Sequence, residues 1–259
     1  MKKLFVIALA LILALSCFTA CGAKVDSDLE NIKSKGKLVV GITDYAPMDY
    51  KDENGEWTGF DAEFAQLFAE ELGVECEFYV ISDWGKKFLE LDTKQIDAVW
   101  NGMTITEEAT LNASVSDPYV VNAQVVVMKA DAVANYPDGA SMKDLVFAVE
   151  NGSAGQEAAV SIGAENIVAV QDQGAALMEV AAGTSDACVI DITMANAMTG
   201  EGTSYADLTY AVSLTSEEYG VAFRKNSDLT AKFNEFMAAK IADGTLQALA
   251  DKYGLTLAG

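Results

Sequence analysis

The side chains best placed to hold a small molecule lie where apolar runs stop. Asp97 to Trp100 reads as a short buried strand that halts at Asn101 and Gly102, with Thr104, Thr106, Glu107 and Glu108 following. A strand ending in a polar, glycine-bearing turn, with threonines able to cap a short helix, gathers donors and acceptors at one point. In open α/β sheets ligands sit just beyond the carboxyl ends of strands. Asn101, Gly102 and Thr104 are therefore candidates for contact with a small polar ligand. Asp191 stands directly after a second apolar run, Cys188 to Ile190, and Glu150 to Gly155 is a glycine-rich turn ahead of a helix. The same residues also fit plain structural roles as helix caps and connecting turns. The chemistry on offer is recognition rather than bond making. The chain has no histidine, which removes Ser-His-Asp, Cys-His and histidine–metal sites together, and it shows no paired-carboxylate motif. No enzyme activity, cofactor or metal is expected.

These residues need elements to position them, and hydrophobic spacing supplies both kinds. Leu38 to Ile42 is a near-continuous apolar run, as in a parallel strand covered on both faces, and Thr43 to Met48 is the loop at its carboxyl end. Asn54 and Gly55 mark a tight hairpin, and Asp61 is placed to cap the helix after it. Phe64, Leu67, Phe68 and Leu72 fall at helical spacing, closed by Gly73. Glu75 to Val80 reads as a strand, and Asp83 and Trp84 open a helix with Phe88 and Leu91 inward. After a strand from Tyr119 to Lys129 a second series begins. It has strands at 145–149, 166–170 and 187–190, with helices at 156–162 and 173–182. A strand at 219–224 and helices at 229–243 and 245–252 complete the chain. Strands alternating with helices predict a doubly wound α/β architecture. Pattern alone allows two consecutive domains.

Length permits one large domain or two of about 100 residues each. The 39 acidic against 17 basic residues give a net charge of −22, scattered along the chain. Such a charge argues against nucleic-acid or anionic-membrane binding by the globular part. At the N-terminus Lys2 and Lys3 precede an unbroken apolar run, Leu4 to Leu15. It is shorter than the roughly 20 residues a membrane span needs, and it predicts a signal peptide over residues 1–20. The small residue before Cys21 resembles a bacterial lipobox, which predicts lipidation of the Cys21 thiol, with Cys17 the weaker candidate. Residues 21–34 would then be a tether and first helix. Cys76 and Cys188 form no disulfide framework, and Cys188 reads as a buried free thiol.

The stretch from Asp97 to Ala109, followed by Ser116 to Tyr119, resembles the strand-end segment of the polar amino-acid-binding proteins that serve ABC importers (bacterial solute-binding protein family 3). There D-A-x-x-x-G-M-S/T-I-T-x-E-R precedes S-D-P-Y. The order of G-K-L-x-V-G from Gly36, of D-x-x-G-x-x-x-G-F-D ending at Asp61 and of a W-D-x-L-x-x-x-L motif at Trp84 is similar too. The resemblance covers about residues 28 to 255. It implies a two-lobed periplasmic-binding-protein fold (type II), each lobe a doubly wound sheet, with two crossing strands near 125–129 and 212–221. Lobe 1 would hold residues 35–127 and 217–259, and lobe 2 residues 128–216.

The resemblance also implies roles at the site. Tyr45 and Trp84 would cover opposite faces of the ligand, adding about 0.5–2 kcal/mol of cation–π attraction against an ammonium or guanidinium. Asn101, Gly102 and Asp191 would receive the α-ammonium, and Thr104 would donate to the carboxylate. Ser153, in the Gly152–Ala154 turn at a helix N-terminus, would favour the same carboxylate, although Ala154 lacks the usual hydroxyl. Asp44 would meet a side-chain cation. One position departs: the arginine that clamps the ligand's carboxylate falls at Ala109. Losing that pair removes about 1.5–3 kcal/mol. Either Thr104, Ser153 and backbone donors hold the carboxylate alone, or the ligand carries its carboxylate elsewhere or not at all. The expected protein is a monomeric lipoprotein on the outer face of the cytoplasmic membrane. It would deliver an amino acid or related amine-bearing solute to ABC permease subunits by lobe closure. A sensory binding module, or a dehydratase-like enzyme on the same fold, are the competing readings.

Overall fold

The computed structural model describes residues 27–259. The expected signal segment, Cys17 and Cys21 lie outside that range. No helix among the described residues is long and apolar enough to cross a membrane.

Ser27 caps the first helix, α1 (Asp28–Lys35), by accepting from the Glu30 N–H at 3.0 Å. Its acids fall in the first turn and its lysines in the last, as the helix dipole favours. This is the first helix expected within residues 21–34, and it is packed on the first lobe, with Ile32 fully buried and Asp28 paired with Arg224. Strand β1 (Lys37–Ile42) follows, then the hairpin β2 (Tyr50–Lys51) and β3 (Trp57–Thr58). Helix α2 (Phe60–Leu72) begins at Gly59, with no side-chain cap. Asp61, expected to cap it, instead accepts from the Gly102 N–H at 2.5 Å and the Tyr119 hydroxyl at 2.9 Å. Its carboxyl is more useful holding the site loop, since the first-turn N–H groups are already bonded to Pro47 and Met48 carbonyls.

Next come β4 (Glu75–Val80), a 3₁₀ turn at Trp84–Lys86 capped by Asp83, and α3 (Lys87–Asp92). Strand β5 (Ala98–Val99) leads into the site loop, then α4 (Glu107–Asn112) and β6 (Ser114–Val115). The expected single strand from Tyr119 to Lys129 is two, β7 (Val120–Asn122) and β8 (Gln124–Lys129), broken at Ala123 and assigned to different sheets. The second series follows with β9 (Val146–Glu150), α5 (Ala154–Ser161), β10 (Asn166–Val170), α6 (Gln173–Ala182), β11 (Ala187–Asp191) and α7 (Ile192–Met198). Strand β12 (Leu208–Ser213) starts earlier than the crossing strand expected near 212–221 and ends inside it. Then come β13 (Glu217–Tyr219), β14 (Ala222–Phe223), α8 (Leu229–Ala242) and α9 (Thr245–Tyr253).

Two five-stranded sheets result, ordered β4-β1-β5-β14-β6 and β10-β9-β11-β8-β12. The first is parallel through β4, β1 and β5, with β14 returning antiparallel between β5 and β6. The second is parallel through β10, β9 and β11, and antiparallel at β8 and β12. All of Gln124–Lys129 sits in the second sheet, so the boundary expected at 127 falls earlier. The antiparallel pair β7 and β13 carries the chain from one lobe to the other and back. Helix α8 returns Phe233 and Phe236 to the first lobe, where Phe233 meets Trp100 edge-on at 4.9 Å and both pack on Phe64 and Phe68. Trp100 is thus buried in that aromatic core. Cys188 is a fully buried free thiol whose pKa burial pushes up.

Candidate functional site

Strand ends from the two lobes face each other across a cleft. The first lobe contributes the loop after β5 and the start of α3; the second contributes the turn after β9, Gln173 and the end of β11. Where they meet, Gly152 adopts φ +70°, and a Cβ there would lie 2.5 Å from the Gly85 Cα. The Asn151 amide donates to Asp83 at 3.0 Å in the same contact. The lobes stand closed, and backbone touches backbone at Gly85 and Gly152. Gly152→Ala adds both left-handed backbone strain and this clash, so it is expected to weaken ligand affinity about tenfold. Titration of wild type and variant, with the solute that binds wild type, checks this. Equal affinities would mean that binding does not require the contact.

The enclosed space is about 30 Å³, room for water but not for an amino acid until the lobes part. Trp84, Asn101, Gly102, Thr104, Ser153, Ala154 and Asp191, all expected at the site, line it. Their hydrogen bonds differ from the expected ones. The Asn101 side chain turns back onto the end of β1, accepting from the Thr43 N–H and donating to its hydroxyl. Thr104 donates to the Glu217 carboxylate at 2.7 Å, so its proton is not offered to a ligand. Ser153 caps α5 by accepting from the Gln156 N–H at 3.1 Å.

Tyr45 and Asp44 are not among the lining residues. Tyr45 is buried, its ring close to Gly102, and its hydroxyl lies 2.5 Å from both Thr193 and Tyr219. It therefore ties first lobe, hinge and second lobe together instead of covering a ligand face. Asp44 is exposed.

Asp191 is buried at the end of β11 and makes no cap with its side chain. Amide N–H groups of Asn122, Gln124 and Gln173 all donate to its carboxyl. Burial first, and then the nearby Glu217 charge, push its pKa up to about 7 against the pull of those amides. Asn122 and Gln124 also donate to Glu217, each at 2.7 Å. The acid facing the cavity is thereby wired to the hinge strands.

Among the lining groups that were not anticipated, two are buried and ionisable. Glu150, at the end of β9, is buried with Oε1 unpartnered, and its pKa is raised by burial and by the Asp191 charge. Lys87 is the base among the lining residues, against the acids Glu108, Glu150, Glu157 and Asp191. It is buried, and burial pulls its pKa down. Its Nζ sits over the rings of Trp84 and Phe88 at 5.1 and 4.9 Å. Nothing in the local pattern marked it, because Lys87 falls one step from Phe88 in a helix read for its apolar face.

A model of the bacterial extracellular solute-binding proteins, family 3, matches residues 38–256. The chain belongs to that family. Among relatives in the family, the arginine-binding extracellular protein ArtP of Bacillus subtilis is 31% identical over 98% of both chains. The L-cystine-binding protein TcyJ of Escherichia coli is 29% identical over 87% of this chain and 85% of its own length. Among solved structures, the ancestral amino acid-binding protein AncCDT-1, a precursor of cyclohexadienyl dehydratase, superposes with a TM-score of 0.80. It is 32% identical, covering 88% of this chain and 99% of that one. The two-lobed type II fold expected from the resemblance is therefore the fold of family 3 members.

Proposed function

We propose that this chain is a lipid-anchored binding protein that captures an amino acid, or a related amine-bearing solute, and presents it to the permease subunits of an ABC importer. The observation carrying this reading is the cleft where a buried, hinge-linked carboxyl, Asp191, faces polar strand ends of the other lobe. Lobe 1, about residues 28–122 and 217–259, takes the ligand first, and lobe 2 closes over it. The ligand drives closure only through interactions that the open state does not offer, here those of Asp191, Glu150 and the Gly152–Ala154 turn. The solute's ammonium meets the acids. Binding is by a monomer, and the membrane is engaged through lipid on Cys21. Relatives that bind arginine and cystine by name support an amino acid as cargo.

The test is a titration of the purified protein with the standard amino acids, L-cystine and a panel of amines, followed by melting temperature and tryptophan fluorescence. Trp84 lines the cavity and is the reporter. A saturable change with at least one amino acid, and a raised melting temperature, is expected. Silence across the panel would sink the reading.

A further inference from the structure

The Ala109 departure leaves the cleft without the expected guanidinium, and the structure places another cation in the same walls. Lys87 lines the cavity, while Ala109 lies in the apolar cluster that includes Trp84 and Phe88, the rings over which the Lys87 ammonium sits. An ammonium has three donors. Among the described residues, Nζ makes one well-formed hydrogen bond, to the Gly152 carbonyl at 3.0 Å. The Trp84 carbonyl is at 3.5 Å and the nearest carboxylate, Glu108, at 4.0 Å. Glu108, Glu150, Glu157 and Asp83 act on this charge through space, so the buried ammonium keeps hydrogen-bond donors to spare, and removal from water makes them costly unless an anion meets them.

We propose that the Lys87 ammonium receives the ligand's carboxylate, making the natural solute a zwitterion and not a simple amine. The inference rests on the solute-binding reading above. Three features of the walls favour it. Lys87 is the base among four acidic lining residues, so an anion entering the cavity has one side chain to pair with. The first turn of α5, an eight-residue helix, opens beside it at Ser153 and Ala154, and helix N-termini favour negative charge. Asp191 lines the same cavity and offers its carboxyl to positive charge, while Glu150, near enough to Lys87 to feel its charge, keeps one oxygen unpartnered. An ammonium and a carboxylate on one small molecule satisfy both walls at once. Because Lys87 already reaches the Gly152 carbonyl of the other lobe, a carboxylate bound to it also meets the closing lobe.

The experiment compares wild type with Lys87→Met and Lys87→Arg. The probes are the tightest-binding member of the amino-acid and L-cystine panel and its decarboxylated amine. Lys87→Met keeps chain length and packing while removing charge. It is expected to weaken the amino acid about 10- to 100-fold, the range for a hydrogen bond to a charged group. Loss of the hydrogen bond to Gly152 touches both probes alike, so the amine is expected to weaken at least several-fold less than the amino acid, and Lys87→Arg should keep most of the amino-acid affinity. The retained amine binding shows that the variant is folded and its acid wall intact. Equal amino-acid affinity in wild type and Lys87→Met would overturn the proposal, as would equal loss of both probes or wild-type preference for the amine. If wild type binds nothing in the panel, the solute-binding reading itself fails and this inference falls with it.

Discussion

Replacing Arg224 with alanine is expected to destabilise the fold by about 3–5 kcal/mol, because it strands the buried Asp28 carboxylate and leaves Asp97 with Lys35 as its one cation. The guanidinium Nε donates to Asp28 at 2.9 Å, and Nη2 lies 2.8 Å from Asp28 and 3.1 Å from Asp97. Nη1 donates to the carbonyl of Ile96 at 2.6 Å. One side chain thus pins α1 and the turn before β5 to the end of β14. Arg224→Lys keeps the charge but cannot fork between these acceptors, and should recover only part of the loss. Chemical denaturation gives the measurement. A cost below about 1 kcal/mol for Arg224→Ala would mean that water reaches Asp28 and Asp97 when the guanidinium leaves.

The second large effect belongs to Asp191. Asp191→Asn removes the charge that an ammonium seeks and is expected to weaken an amine-bearing ligand about 10- to 100-fold. The pH dependence has a definite sign. The folded-state pKa of Asp191 is raised, to about 7, so the folded protein holds this proton more tightly than the unfolded chain does. The stability term from this group is therefore greatest in acid. It falls as pH rises from about 4, the unfolded value, to about 7. Ligand affinity runs the other way. An ammonium prefers the carboxylate, so binding below pH 7 must expel the proton and weakens by up to about tenfold per pH unit. Asp61, raised to about 7 mainly by burial, shares the stability trend. Affinity between pH 5 and 8 is thus the cleaner readout. A flat profile in wild type would remove Asp191 as the ammonium's partner, and a slope unchanged in Asp191→Asn would hand that role to Glu150.

Most of the fold was legible because parallel strands buried on both faces are nearly continuous apolar runs. Lys37–Ile42 and Ala187–Asp191 stand where that rule puts them. What stayed hidden depends on the far ends of side chains. Ala123 looked like one more residue of a strand, yet it is where the backbone leaves one sheet for another. Asp61 sat in a capping position and spends its carboxyl on a loop 41 residues away. Tyr45 had an aromatic's usual place beside a cleft, but its hydroxyl found Thr193 and Tyr219 and the ring went into the core. Lys87 was missed for a related reason. Local spacing places the first atoms of a side chain, while a lysine's charge lies several bonds further out and snorkels along whatever apolar wall it meets.

The place of β14 has a consequence for how the protein comes to exist. Its two residues, Ala222 and Phe223, are hydrogen-bonded between strands made more than a hundred positions earlier. A nascent chain that has produced β1 through β6 therefore carries a sheet with an open slot, bounded by the uncovered edges of β5 and β6. The second lobe needs nothing beyond Ser213 for its five strands, so it is the unit that can finish first. Domains tend to fold as they emerge, and open strand edges invite wrong pairings. Here the order of synthesis and the order of completion are inverted. The first segment to appear is the last to be sealed, and a chain stopped short of Phe223 never acquires a finished first lobe.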